Sequence, residues 1–136
     1  INDPYIKQSK YKNLKLINIA KLCAVVSVHV HLDKESKNII NKNFLKNTLK
    51  KPIIINTSRG EVVSEKDIVY YLSKGIISGY GCDVLENEFD NIKNSPIYKG
   101  VKKNLNIIVT PHIGGMSHQG QLRAWIWAVD KFKNRR

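Results

Sequence analysis

The chain has 136 residues, 42% hydrophobic and 25% charged, which suits one globular domain with a modest core. No apolar run approaches the ~20 residues that cross a bilayer, and no secretory n-region and h-region opens the chain, so neither a membrane helix nor a signal peptide is expected. The net charge of +12 invites a nucleic-acid reading, but 19 lysines accompany 18 isoleucines, 14 asparagines and only 4 arginines, a bias that AT-rich codons explain without a basic binding surface.

Ile1 to Tyr5 reads as the end of a strand and a turn, because Pro4 cannot continue a central ladder. Apolar residues at 14, 16, 17, 19, 20 and 22 predict a short buried helix. Residues 24–30 are a β-branched strand, and 36–49 carry Ile39, Ile40, Phe44, Leu45 and Leu49 near helical spacing. Pro52 opens a strand over 53–57, an uninterrupted apolar run of the kind buried on both faces. Ser64 starts a helix with a capping-box spacing to Asp67, and Gly75 supplies its left-handed stop. Residues 76–85 form a glycine-containing strand. Residues 87–106 read as irregular, with one turn around Pro96 to Tyr98, and 106–110 as another buried strand ended by Pro111. A last helix runs from about Ser117 to Phe132 with Leu122, Ile126 and Val129 on one side, and Trp125 and Trp127 are expected to pack against another domain. Strands alternating with helices predict an α/β fold with a parallel sheet.

Three polar signatures stand where strands end: Arg59 in Asn56-Thr57-Ser58-Arg59-Gly60, Glu88 in Asp83-Val84-Leu85-Glu86-Asn87-Glu88, and His112 in Thr110-Pro111-His112-Ile113-Gly114-Gly115. At one edge of a parallel sheet they would converge where open α/β sheets bind ligands. Arg59 offers a planar, permanently charged fork for a carboxylate, and Gly60 lets the backbone turn sharply beside it. His112 suits proton transfer near neutral pH, and Glu88 on its far ring nitrogen would fix the tautomer and keep the proton available. Gly114 and Gly115 allow close approach of a cofactor or substrate to the backbone. Each alone reads as an ordinary surface residue, and the three together suit hydride chemistry on a 2-keto acid. His29 and His31 share a strand face, but no nearby Cys, Asp or Glu completes a metal site, so none is expected. Cys23 and Cys82 form no CxxC and read as reduced, buried thiols of a cytoplasmic protein.

At these motifs the chain resembles the D-isomer-specific 2-hydroxyacid dehydrogenases, which include phosphoglycerate and glycerate dehydrogenases. The resemblance implies that Arg59, Glu88 and His112 are catalytic and that NAD is the cofactor. Arg59 and His112 also border the cofactor, together with Asp3, His29, Thr57, Ser58, Asp83, Gly114 and Gly115. By the same likeness Asp83 takes the nicotinamide carboxamide and Asp3 the adenine ribose, and an acid at Asp3 favours NAD over NADP. His31, Ala24 and Phe89 replace the proline, aspartate and proline usual at their positions.

The glycine-rich Gly-x-Gly-x-x-Gly loop occurs nowhere in the chain, which starts mid-pattern at Ile1 with its sole methionine at Met116. The expectation is therefore a piece of a longer protein: residues 1–116 a partial Rossmann domain lacking its first strand and phosphate loop, and 117–136 a helix leading toward a substrate domain. In the strand order 3-2-1-4-5-6, residues 24–30 and 53–57 would be parted by strands one and two. A chain missing its middle strand is expected neither to fold stably nor to turn over substrate by itself. Expected partners are a small 2-hydroxy or 2-keto acid and a second copy in a homodimer, with no nucleic acid and no membrane. Two other readings stay open: a nicotinamide-sensing interaction module of the same fold, and a basic nucleic-acid-binding protein.

Overall fold

Four short strands, β1 (Val25–Val28), β2 (Ile53–Asn56), β3 (Gly79–Cys82) and β4 (Ile107–Val109), pair in chain order into one parallel sheet. The computed structural model describes residues 1–6 and 10–134, so the last two residues of the 117–136 segment lie outside it. The register runs Val26–Ile54–Tyr80–Ile107 and Val28–Asn56–Cys82–Val109 across the strands. β1 lies directly beside β2, so the expected gap between them does not exist. Neighbouring strands in sequence are joined by helix-containing crossovers and become neighbours in space, which is the ordinary outcome for such connections. The sheet is continuous, with no middle strand missing between β1 and β4.

The strand end expected over Ile1 to Tyr5 does not form either. Residues 1–6 form no strand, and the Leu14 N–H donates to the Ile1 carbonyl while the Asn2 side chain donates to Leu14, closing a loop.

One face of the sheet carries the core. Val26, Val28, Ile54, Tyr80 and Cys82 pack in a single buried cluster with Ala20 of α1 (Leu16–Leu22), Phe44 and Leu45 of α2 (Lys42–Leu45), Ile68, Tyr71 and Leu72 of α3 (Glu65–Ser73) and Ile97 of α4 (Pro96–Lys102). The opposite face is barer: Val25, Ile53 and Ile108 are exposed. Neither β2 nor β4 is thus buried on both sides, contrary to their unbroken apolar runs. α1 buries Ala20 alone. α5 (His118–Lys133) buries no residue, and Trp125 and Trp127 both stand exposed.

Several helix limits differ from expectation for local reasons. The 36–49 pattern yields only the one-turn α2, because Asn38 takes a left-handed φ of 53° and Ile40 makes a parallel bridge to Val63. Ser64 makes no side-chain cap, and the capping box does not form: the Ser64 N–H donates to the Ile40 carbonyl and Asp67 accepts the Lys42 N–H at the start of α2. Gly75, at φ 64°, does end α3. α4 lies inside the stretch read as irregular. Ser95 caps it and Pro96 opens it, a helix-start signal that the sequence carries where a single turn was expected. Among the described residues no helix is long and apolar enough to cross a membrane, and no three His, Cys, Asp or Glu side chains gather as a metal site.

Candidate active site

The sheet delivers β2, β3 and β4 side by side, so the turns that follow them adjoin. The turn after β2 hangs from Asn56, which is fully buried. Its amide nitrogen donates to the Arg59 carbonyl at 2.9 Å, and its oxygen accepts from the Ser58 N–H at 3.1 Å and the Ser58 hydroxyl at 3.0 Å. These bonds give both polar atoms of the buried amide a partner while fixing the backbone on which Arg59 stands. The guanidinium itself is exposed and donates to the Ser58 carbonyl at 2.7 Å.

Gly60 does something other than turn the chain. Its φ is not positive; a Cβ there would lie 2.0 Å from the Leu85 carbonyl carbon and 2.2 Å from the Glu86 nitrogen. The glycine lets the turn after β2 press against the segment after β3, so that Arg59 and Glu88 share a wall.

That segment begins at Asp83, which is 8% exposed. One carboxylate oxygen accepts from the Thr110 hydroxyl and the Ile113 N–H, and the other accepts the Gly114 N–H at 2.8 Å. The Thr110 hydroxyl first, with the Gly114 and Ile113 N–H groups, holds the Asp83 carboxyl below its usual range against the opposing effect of burial. Asp83 thereby ties the loop after β4 to the end of β3. The loop carries His112 in a left-handed conformation at φ 53°, a region that histidine visits more readily than most residues and that often marks functional positions.

Asn87, also left-handed at φ 54°, folds Glu88 back over its own segment. Glu88 Oε1 lies 2.6 Å from His112 Nδ1, with the carboxylate about one-fifth and the imidazole about one-half exposed. A carboxylate can only accept, so Nδ1 carries the proton and Nε2 is left as the nitrogen that exchanges a proton with a ligand. Arg59, Glu88 and His112 line one open cavity of ≈ 450 Å³, whose other walls include Leu32, Glu61 and Phe89.

The remaining residues singled out in the sequence are placed less closely. Thr57 is exposed and Ser58 half-buried at the end of β2, with Gly114 and Gly115 exposed in the His112 loop. His29 is exposed just past β1, its Nε2 2.7 Å from the Ser27 hydroxyl. Asp3 accepts the Tyr5 N–H and exchanges hydrogen bonds with Asn13, within the loop closed by residues 1–14. Buried Cys82 has its thiol pushed up to about 12 by desolvation, which leaves it unreactive at neutral pH. Sequence reasoning missed the anchoring role of Asn56. For Asn56 the signal was available: asparagine two residues before a serine at a strand end is the Asx-turn spacing.

A family model described as D-isomer specific 2-hydroxyacid dehydrogenase, NAD binding domain, matches residues 1–114. The chain is 34% identical over 128 residues to an erythronate-4-phosphate dehydrogenase of Bacteroides thetaiotaomicron, covering 91% of this chain and 35% of that protein. It is 33% identical over 103 residues to a D-lactate dehydrogenase of Staphylococcus epidermidis, covering 70% and 31%. Among solved structures, D-lactate dehydrogenase from Aquifex aeolicus complexed with NAD and lactic acid aligns with a TM-score of 0.73 at 28% identity, over 90% of this chain and 40% of that one. The TT0316 protein from Thermus thermophilus aligns with a TM-score of 0.75 at 30% identity, over 88% and 37%. The chain spans about a third of the length of these curated relatives.

Proposed function

The chain belongs to the D-isomer specific 2-hydroxyacid dehydrogenases, as part of their NAD binding domain, and from that premise we propose that the protein containing it interconverts a 2-keto acid and its D-2-hydroxy acid. The observation that carries the proposal is the 2.6 Å pair of His112 Nδ1 with Glu88 Oε1 on the same cavity as Arg59. Arg59 binds the substrate carboxylate and helps polarise the carbonyl, drawing electron density away from the carbon that receives the hydride. His112 gives its Nε2 proton to the carbonyl oxygen in reduction and takes it back in oxidation. Glu88 keeps the imidazole in the tautomer and orientation that this transfer needs. NADH supplies the hydride when bound.

The residues present fit that cofactor. Asp83 uses three acceptor positions on the protein, and its Oδ2 accepts a single N–H, which leaves capacity for an amide donor such as a carboxamide. A Cβ on Gly115 would meet no protein atom within 4 Å, so packing does not explain the glycine, while room for a ligand does. Asp3 in its loop would meet a 2′-phosphate with like charge, which supports NAD as the preferred form. The roles of His29, Thr57, Ser58 and Gly114 in bordering the cofactor, a homodimeric parent in the cytoplasm, and residues 117–136 leading to a substrate domain belong to the same proposal.

The test follows NADH oxidation by the full-length protein against a panel of 2-keto acids. We expect turnover with at least one acid, a loss of about 10³-fold in kcat in His112→Gln, and a loss expressed mainly in substrate KM in Arg59→Ala. Tight NADH binding without turnover on any acid would replace the enzyme with the sensing module. Salt-steep binding to unrelated DNA sequences in place of NADH binding would favour the nucleic-acid reading.

A further inference from the structure

Glu65 lies outside the cavity shared by Arg59, Glu88 and His112. It opens α3 and is only 2% exposed. Its Oε1 accepts the Glu86 N–H at 2.8 Å, and its Oε2 accepts the Ser95 hydroxyl at 2.7 Å. The Ser95 oxygen in turn accepts the Ile97 N–H at 3.0 Å and the Tyr98 N–H at 3.4 Å, capping α4. Burial raises the Glu65 pKa above its ordinary value, so the acid is held at a cost.

What the two hydrogen bonds enclose is informative. Between Glu86 and Ser95 the chain makes an excursion: residues 89–94 are all exposed, and only at Ser95 does it return to the interior. Glu88 rides on the near limb of that excursion, two residues from the Glu86 tether. One buried carboxylate therefore clamps both feet of the loop that presents the histidine's partner. A hydrophobic residue at 65 could fill the space, but it could accept neither the Glu86 N–H nor the Ser95 hydroxyl.

We propose that Glu65 is a positioning residue for the reaction: by gripping the Glu86 N–H and the Ser95 hydroxyl together, it sets the place from which Glu88 reaches His112. The proposal rests on the reading of Arg59, Glu88 and His112 given above. A residue that merely joins α3 to α4 would affect stability independently of Glu88, whereas a positioning residue acts through it.

The experiment is a double-mutant cycle in the full-length dehydrogenase, with Glu65→Ala, Glu65→Gln, Glu88→Gln and the pair Glu65→Ala/Glu88→Gln. Glu65→Ala is expected to lower kcat about 10-fold while the KM values for NADH and keto acid stay within about 2-fold, as misplacement of a partner group predicts. Glu65→Gln keeps a carbonyl oxygen for the Glu86 N–H and should restore most of that loss. In the Glu88→Gln background, Glu65→Ala should add nothing. Amide exchange at Glu86 should speed up in Glu65→Ala and not in Glu65→Gln, a readout independent of turnover. Losses that multiply in the double variant, or an unchanged kcat in Glu65→Ala, overturn the proposal. Should Glu65→Ala fail to fold, Ser95→Ala releases the far foot alone, and its cycle with Glu88→Gln decides by the same non-additivity. Absence of turnover in the unsubstituted protein sinks the dehydrogenase reading itself. Turnover with additive losses sinks only the role of Glu65.

Discussion

The ends of β2, β3 and β4 are built differently from the end of β1 and the loop before it. Beneath Arg59 lies Asn56, and beneath the Glu88 segment and the His112 loop lie Glu65 and Asp83, all three buried and all accepting hydrogen bonds from backbone N–H groups of the site. Past β1, exposed His29 is paired, among the described residues, with Ser27 of its own strand, and Asp3 with Tyr5 and Asn13. A side chain that meets substrate has to be exposed, so its precision comes from what holds the backbone under it. Under the proposed function, the firmly held ends carry the groups assigned to the proton and the substrate carboxylate, whereas His29 and Asp3 are assigned to the cofactor alone.

The severest way to break the tightly held region is Gly60→Ala. The added methyl would sit 2.0–2.3 Å from backbone atoms of Leu85 and Glu86, which cannot move without displacing the Glu88 segment. We expect a loss of about 3 kcal/mol in stability, read from the denaturation midpoint, together with a large fall in kcat. Gly115→Ala is the matched control. Nothing in the protein meets its Cβ, so stability should change by less than about 0.5 kcal/mol while NADH binding weakens.

The contrast also explains how much could be read from the sequence. The fold class and the positions of β1, β2 and β4 were legible because β-branched apolar runs bounded by Pro, Gly and polar residues carry strong local signals, and β3 was legible as the glycine-containing run that follows a helical pattern. Arg59, Glu88 and His112 were legible as a set because each follows such a run. Strand adjacency was not, since it depends on crossovers that no window of sequence records. Single-sided burial of β2 and β4 was hidden for a related reason: isoleucine at 53 or 108 looks the same whether or not something covers it. Glu65 was invisible because an acid in a first helical turn is ordinarily a solvated residue favouring the helix dipole. Only the fold shows that its neighbours are the Glu86 N–H and Ser95.

A smaller effect is expected from Asp83→Asn. The amide can still accept at one atom, but its nitrogen would face either the Gly114 N–H or the donors on the other side, leaving at least one hydrogen bond broken. A cost of about 2 kcal/mol is expected for a bond to a charged group, with kcat reduced because the His112 loop loosens. Asp83 also gives the contrast a pH signature. Its folded pKa lies below the ordinary 3.8, so the stability it contributes is complete above that value and is lost as pH falls through the folded one. Glu65 has the opposite sign: raised above 4.5, it favours the fold most at low pH and progressively less as pH rises through its folded value. Acid titration of stability should therefore be shallower below pH 3.8 in Asp83→Asn, and Glu65→Gln should flatten the decline above pH 4.5.

The smallest effect is assigned to His29→Ala, and it tests the contrast from the other side. The imidazole is exposed, and its hydrogen bond reaches no further than Ser27 two residues away, so no second element depends on it. Stability should shift by less than about 0.5 kcal/mol, the range for surface substitutions without a structural partner. NADH affinity should fall at most about 5-fold, the worth of one ordinary hydrogen bond, with the kcat of the bound enzyme unchanged. Isothermal titration with NADH and a chemical denaturation curve measure both. If His29→Ala costs as much stability or as much kcat as Asp83→Asn, the end of β1 is as firmly built as the other three and the division of the site into a gripped half and a bordering half is wrong. If affinity alone moves, the division holds, and His29 serves the cofactor without shaping the chemistry.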